Sequence, residues 1–385
     1  MRSHRGAASC SLVMVLLVGL VSIGVGGIAA ASVARTPKGS SFLSSLGKPR
    51  QVASTVPPNG DVNPYGIVVV PKTVGRLVKG DTIVSNFNDK ANVQGTGKTI
   101  VEVSPAGAVS TFATIGSLPA SKACPGVIGL TTALSILPGG WVVVGSLPAG
   151  AGGALPLISP AGCLLVLNSN GAVTETWTNA TINGPWDMTE VATSSGVDLF
   201  VANVLSRPKG ITATPKSGDL STIVRIAVSL GAAKRPRMAG LTVIGTGFLS
   251  KANKTAFVQG PTGVALGSNG TLYVAGTVRN HISEIPNAMT RTTAVADGAI
   301  TLSSGGWLNG PLGLTIAPNG DVLAMNANDG NAVEISLQGH QIAKKTLVPN
   351  GSGDLFGLTI APGGKELLFV NDAATANALD VASIR

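Results

Sequence analysis

The chain is poor in charge, in aromatic rings and in the side chains that most often do chemistry. Asp, Glu, Lys and Arg make up 12% of its 385 residues, aromatics 4%, and there are 3 histidines and 3 cysteines. That leaves little room for imidazole or thiol catalysis, or for a zinc centre. No Cys-x-x-Cys, serine nucleophile elbow or paired-carboxylate spacing occurs. Gly95-Thr96-Gly97-Lys98-Thr99 has the tail of a phosphate loop but lacks the upstream glycine and the following helix, so it reads as a turn. The formal charge of +9 is scattered, apart from Lys234-Arg235-Pro236-Arg237 and Lys344-Lys345. No aromatics are interleaved with these basic residues, which argues against nucleic acid as a partner. What the chain does have is 51 glycines, with many Val, Ile and Thr. Branched side chains fit a pleated surface, and glycine with Pro and Asn supplies the turns between strands.

The N-terminus has the three parts of a secretory signal. Arg2 and Arg5 precede an apolar stretch over residues 12–31, and small residues around Ala31 and Ala34 offer a cleavage site. Residues 1–34 are therefore read as a signal peptide, with a retained anchor as the alternative; residues 35–48 are read as a linker, and 49–385 as the folded body. The expected location is secreted, periplasmic or cell-surface, with no membrane insertion after cleavage, and the expected state is a monomer. Of the cysteines left after cleavage, Cys124 and Cys163 are expected to pair, buried thiols being the alternative.

One pattern recurs six times. GPTGVALGSNGTLYVAGTVRNHISEI (260–285) and GPLGLTIAPNGDVLAMNANDGNAVEIS (310–336) share it, as does 355–382, with looser copies starting near 63, 126 and 184. Each copy has a small-residue strand a, entered at Gly66, Gly129, Asp187, Gly263, Gly313 or Gly357. A tight turn leads to strand b, and strands c and d follow. Six units of four short antiparallel strands predict an all-β, six-bladed β-propeller. The last unit stops after strand c, so residues 50–56 are expected to supply its outer strand and close the ring.

These units resemble NHL repeats, within the wider six-bladed group that includes gluconolactonase-like, TolB-like and streptogramin-lyase-like propellers. The resemblance covers about residues 50–385 and is tightest at 260–285 and 310–336. It specifies fold strongly and function weakly. The gluconolactonase-like enzymes enter strand a with a metal-binding Glu. The matching positions here are Asn63, Gly126, Gly184, Gly260, Gly310 and Asp354, so only Asn63 and Asp354 could serve.

In a propeller the d–a and b–c loops share one face, here called the loop face; the a–b and c–d turns share the other, the turn face. Long b–c insertions at 87–97, 146–161 and 204–220 all fall on the loop face, in units one to three. Strand b ends at Asn86, Gly145, Asn203, Gly276, Asn326 and Asn371. The four Asn read either as turn caps or, with Asn63, Asp329 and Asp354, as oxygen ligands for Ca²⁺. Trp186, His281 and Trp307 are expected near the mouth as ligand contacts, with packing between blades as the alternative. The leading functional expectation is an exported module that binds a protein or polysaccharide through its loop face. A calcium-dependent hydrolase, lactonase or lyase and a structural envelope module are the alternatives.

Overall fold

The computed structural model describes residues 41–116, 118–125, 127–148, 162–204, 220–253, 257–373 and 376–385. The expected signal segment and most of the insertions at 146–161 and 204–220 lie outside the described residues. Six four-stranded antiparallel sheets follow one another. Blade one runs Val62–Val69, Thr82–Asn88, Thr99–Val103 and Val109–Thr114. Blade two runs Leu134–Leu137, Trp141–Ser146, Cys163–Leu167 and Val173–Trp177. Blade three is longer, with Pro185–Thr193, Gly196–Asn203, Leu220–Leu230 and Pro236–Leu249. Blade four comprises Pro261–Leu266, Leu272–Gly276, His281–Ile285 and Ile300–Ser304. Blade five comprises Pro311–Ile316, Val322–Asn326, Asn331–Ile335 and Gln341–Thr346. Blade six has Leu355–Ile360, Glu366–Asn371 and Ala378–Ser383. Its fourth strand is Arg50–Ser54, which pairs antiparallel from Arg50 with Val381 to Ser54 with Ala378. The ring closes as the repeat arithmetic requires.

Innermost strands meet their neighbours all the way round, blade six against blade one included. Register against strand b sets Gly66, Ala133, Asp187, Gly263, Gly313 and Gly357 at one level. The blade-two member is therefore Ala133, not Gly129; strand a of that blade begins four residues later than the glycine pattern implies. At four steps a glycine faces a carbonyl of the next blade: Gly66 faces Thr132, Gly263 faces Leu312, Gly313 faces Phe356, and Gly357 faces Tyr65. A Cβ at any of these positions would run into that oxygen, so hydrogen is the only substituent that fits.

Two stretches depart from expectation. Residues 230–248, which lack a clear repeat pattern, form most of the long outer strand of blade three. Several bulges along that pairing absorb the irregular sequence. The expected linker is packed structure from Ser41 on. Phe42–Ser45 make one helical turn, with Phe42, Leu43 and Leu46 buried. Glu334, fully buried on blade five, holds this turn. Its carboxylate accepts from Ser41 Oγ at 2.6 Å, Phe42 N at 3.0 Å, Leu43 N at 2.8 Å and Asn319 Nδ2 at 2.7 Å. A buried carboxylate is tolerated when donors surround it this completely. The short polar spacing of 41–45 gave no helical period to read.

If close backbone approach governs the ring, Gly357→Ala should destabilise by about 2–4 kcal/mol. Urea unfolding should show that loss, while Ala at exposed turn glycines such as Gly363 should cost only the strain of its left-handed backbone.

Candidate functional site

The central channel is the feature to which all six blades contribute. One residue before the glycine level, the innermost strands present Tyr65, Thr132, Trp186, Thr262, Leu312 and Phe356, all buried. Together these residues fill the channel at its loop-face end. Tyr65 stacks on Phe356 with ring centroids 5.2 Å apart and meets Trp186 edge-on at 5.8 Å. Phe87, the first residue past the end of the blade-one Asn, packs edge-on against both Tyr65 and Phe356 at 6.2 Å. The polar ends of its Trp and Tyr rings are satisfied internally. Trp186 Nε1 donates to Tyr65 Oη at 2.7 Å, and Tyr65 Oη donates to the Thr262 carbonyl at 3.4 Å. Burial keeps the Tyr65 phenol far above its usual range, so it stays protonated.

Trp186 is thus 1% exposed and forms part of a seal instead of standing at the mouth for a ligand. Tyr65 and Phe356 escaped the sequence reading because each was taken as an ordinary member of a small-residue strand. Aligning the six units on the glycine, and reading the column before it, shows Tyr, Trp, Leu and Phe in a strand otherwise crowded with small residues.

The ends of strand b surround this plug. Register pairs Asn86 with Thr99, Ser146 with Cys163, Asn203 with Thr222, and Gly276 with His281. The blade-two member is Ser146, one residue past Gly145. Most of these side chains bind loop backbone. Asn326 Oδ1 accepts from Asn309 N at 3.0 Å, and its Nδ2 donates to the Trp307 carbonyl at 2.8 Å. Ser146 Oγ accepts from Gly129 N at 3.1 Å, and Asn86 Nδ2 donates to the Thr55 carbonyl at 2.8 Å. Asn203 Oδ1 accepts from Gly184 N at 3.4 Å. Asn371 donates to Asp380 Oδ2 at 2.8 Å and accepts from Ala373 N at 2.9 Å. Blade four is the exception for a steric reason. The His281 ring lies over Gly276, where any side chain would collide with it. His281 is buried, and desolvation, with the nearby Arg279 charge, lowers its pKa and keeps it neutral.

Of the expected calcium ligands, the structure gathers Asn63 and Asp354 at the seam of blades six and one, with Asp372 beside them. The Asn63 amide lies 2.6 and 2.9 Å from the two Asp372 carboxylate oxygens and accepts from Asn88 Nδ2 at 2.8 Å. Asp372 N donates to the Asp354 carbonyl at 2.9 Å. Desolvation, reinforced by the Asp354 charge, raises the Asp372 carboxyl to about 7. Asp329 belongs to a separate network in blade five, accepting from Asn331 N, Asn309 Nδ2 and Asn326 Nδ2 at 3.1, 3.3 and 3.3 Å. Trp307 is 42% exposed on the loop face. Its backbone N donates to Gln341 Oε1 at 2.6 Å. Among the described residues, no three His, Cys, Asp or Glu side chains converge in a metal-binding group. The expected disulfide joins Cys124, in the loop entering blade two, to Cys163 at the start of its third strand, with Cα atoms 5.6 Å apart.

Beyond the plug the channel reopens toward the turn face as a cavity of about 290 Å³. Asp187 stands in its wall. It takes the place held by glycine or alanine in the other five blades, and its Oδ2 accepts from Val264 N at 2.9 Å, bridging blades three and four. Enclosure by the whole ring desolvates the carboxyl and raises it to about 7, against donation from the Val264 and Met188 backbones. The sequence marked Asp187 only as the odd member of a glycine column.

No protein-family model and no curated protein sequence matches the chain. Solved structures match it in shape. A gluconolactonase from Xanthomonas campestris superposes with a TM-score of 0.52 at 12% identity, over 85% of this chain and 88% of the other. The chain is a six-bladed β-propeller with gluconolactonase-like neighbours. A streptogramin B lyase gives a TM-score of 0.51 at 13% identity, over 90% of this chain and 100% of the other. A glucose dehydrogenase gives 0.51 at 13% identity, over 88% and 99%. Three activities share one architecture, so the likeness speaks for fold alone.

The Asp187 carboxyl gives a test of the channel environment. Its folded pKa lies above its unfolded value, so its contribution is most favourable below about 4 and is lost as pH rises through about 7. Asp187→Asn should therefore raise Tm at alkaline pH, by an amount equivalent to at most about 4 kcal/mol, and leave it nearly unchanged near pH 4. Equal Tm differences at both pH values would place Asp187 in ordinary solvent.

Proposed function

We propose that the protein is an exported binding module that engages a protein or polysaccharide through the loop face of blades one to three. The observation that carries this reading is the plug. A ligand arriving on the loop face meets buried Tyr65, Trp186, Leu312 and Phe356, not an open channel in which reacting groups could surround it. Binding on that face must then use the loops. The described part of the blade-two rim supports this: Leu118, Val127, Ile128 and Lys98 border a depression of about 220 Å³ beside the disulfide, and Val127 is 67% exposed. Removing residues 149–161, while keeping Ser146 and Leu147, should leave the melting curve intact and abolish capture of the ligand. Unchanged capture would show that the insertion is not the contact.

A second reading, a calcium-dependent hydrolase or lyase, has one observation in its favour. Asp354, Asp372 and Asn63 offer carboxylate and amide oxygens in one partly buried place, and a hard cation prefers such donors. If Ca²⁺ binds, these three residues hold it, the Asn63 amide turning its oxygen inward. The ion would supply Lewis-acid polarisation of a substrate oxygen. The chain's own part would be to hold the ion with these three residues and to orient the substrate over the plug. Saturating calcium should raise Tm, EDTA should reverse the rise, and Asp372→Asn should abolish it; a flat Tm across millimolar calcium sinks this reading.

A further inference from the structure

The part of the channel between the plug and the turn face plays no role in either reading above. It is closed at one end, with Tyr65 as its floor, and the strand segments beyond the glycine level form its wall. The wall is mixed: Leu134, Met188, Val264, Leu314 and Leu358 contribute aliphatic side chains, and hydroxyls from Ser135, Thr189, Thr315 and Thr359 line it together with strand backbone. Two carboxylates complete it: Asp187 at the level next to the floor, and Glu190, exposed, three residues further toward the turn face on the same strand. The described lining carries no Lys, Arg or His. A chain of net charge +9 therefore keeps an acidic pocket on its axis.

We propose that this lumen is a binding site for a small aliphatic ammonium compound, which enters from the turn face and sets its cationic head on Asp187. The shape and chemistry of the lining select that class. One carboxylate at depth balances one positive charge. The hydroxyls accept the N–H donors that the carboxylate leaves over. The aliphatic side chains of the wall take a short hydrocarbon body, whose burial adds the apolar contribution. A divalent cation would want six to eight oxygens around one point, and among the described residues no three acidic, His or Cys side chains converge here. An anion would meet two carboxylates and no cation. The raised Asp187 carboxyl is in keeping with a site awaiting a counter-charge.

The test uses the whole chain and three probes of one length: n-hexylammonium, n-hexanol and n-hexanoate, with calcium chloride as a fourth arm. Isothermal titration and ligand-observed NMR should give saturable binding of the ammonium probe. Its affinity should exceed that of the alcohol by about tenfold or more, as expected for a charged hydrogen bond in an enclosed site. Asp187→Asn should erase that difference. Thr315→Trp, which fills the lumen and leaves Asp187 in place, should abolish binding of both. Equal affinity for alcohol and ammonium, undiminished ammonium binding by Asp187→Asn, tighter binding of calcium at Asp187, or no binding of any probe would each overturn the proposal. Loss of binding on removing residues 149–161 would place the probe on the loop face and overturn it too.

Discussion

Everything in this molecule depends on how closely six backbones can approach one axis. At four of the six steps the hydrogen of a glycine lies against a carbonyl oxygen of the next innermost strand. That contact sets the radius of the ring, and the radius decides what the channel admits. A ring so narrow, lined by edge strands, would leave a thin water column beside unpaired backbone groups. The protein instead fills one end with large side chains at the single level where they fit. The glycines and the plug are two parts of one solution: glycine brings the strands together, and the carbonyl each glycine faces belongs to a residue of the plug level.

The same economy appears at the rim. In four blades an Asn at the end of the second strand pins the neighbouring loop. In blade four His281 occupies that space from the third strand, and residue 276 gives way to glycine. Two positions that look unrelated in sequence are one packing unit. The closure of the ring is likewise made twice. Arg50–Ser54 completes the last sheet through backbone pairing, and the turn before it docks on blade five through the buried Glu334 carboxylate. The second attachment ties blades five and six to the N-terminal segment and restrains the strand that closes the ring.

The two ends of the channel are physically different places. The loop end is sealed by aromatics and ringed by amide side chains already engaged with backbone. The turn end is open and acidic, and aliphatic side chains alternate there with hydroxyls. Raised carboxyls mark both: Asp372 at the loop-face seam and Asp187 in the lumen. Their causes differ. Asp372 is pressed by a second carboxylate as well as by burial, whereas Asp187 is raised chiefly by enclosure in the ring. That contrast separates a place suited to a hard cation from one suited to a single organic charge.

The architecture was legible because it is written in local terms. Turn glycines, branched residues at period two and a pattern repeated six times each act over a few residues, and together they point to a closed ring with its last strand drawn from residues 50–56, of which Arg50–Ser54 pair. The Cys124–Cys163 pair was legible from cysteine scarcity and the position of both on one face. The site was not. Whether Trp186 stands at a mouth or in a plug depends on Tyr65 of blade one, which meets it only across the axis, and on Phe356 of blade six, which stacks on that Tyr. Likewise Asp187 is a strand residue in sequence and an enclosed charge in a lumen only after five other blades surround it. Contacts along the chain follow from residue type and spacing; contacts across the axis follow from the ring's radius, and that exists only in the closed structure.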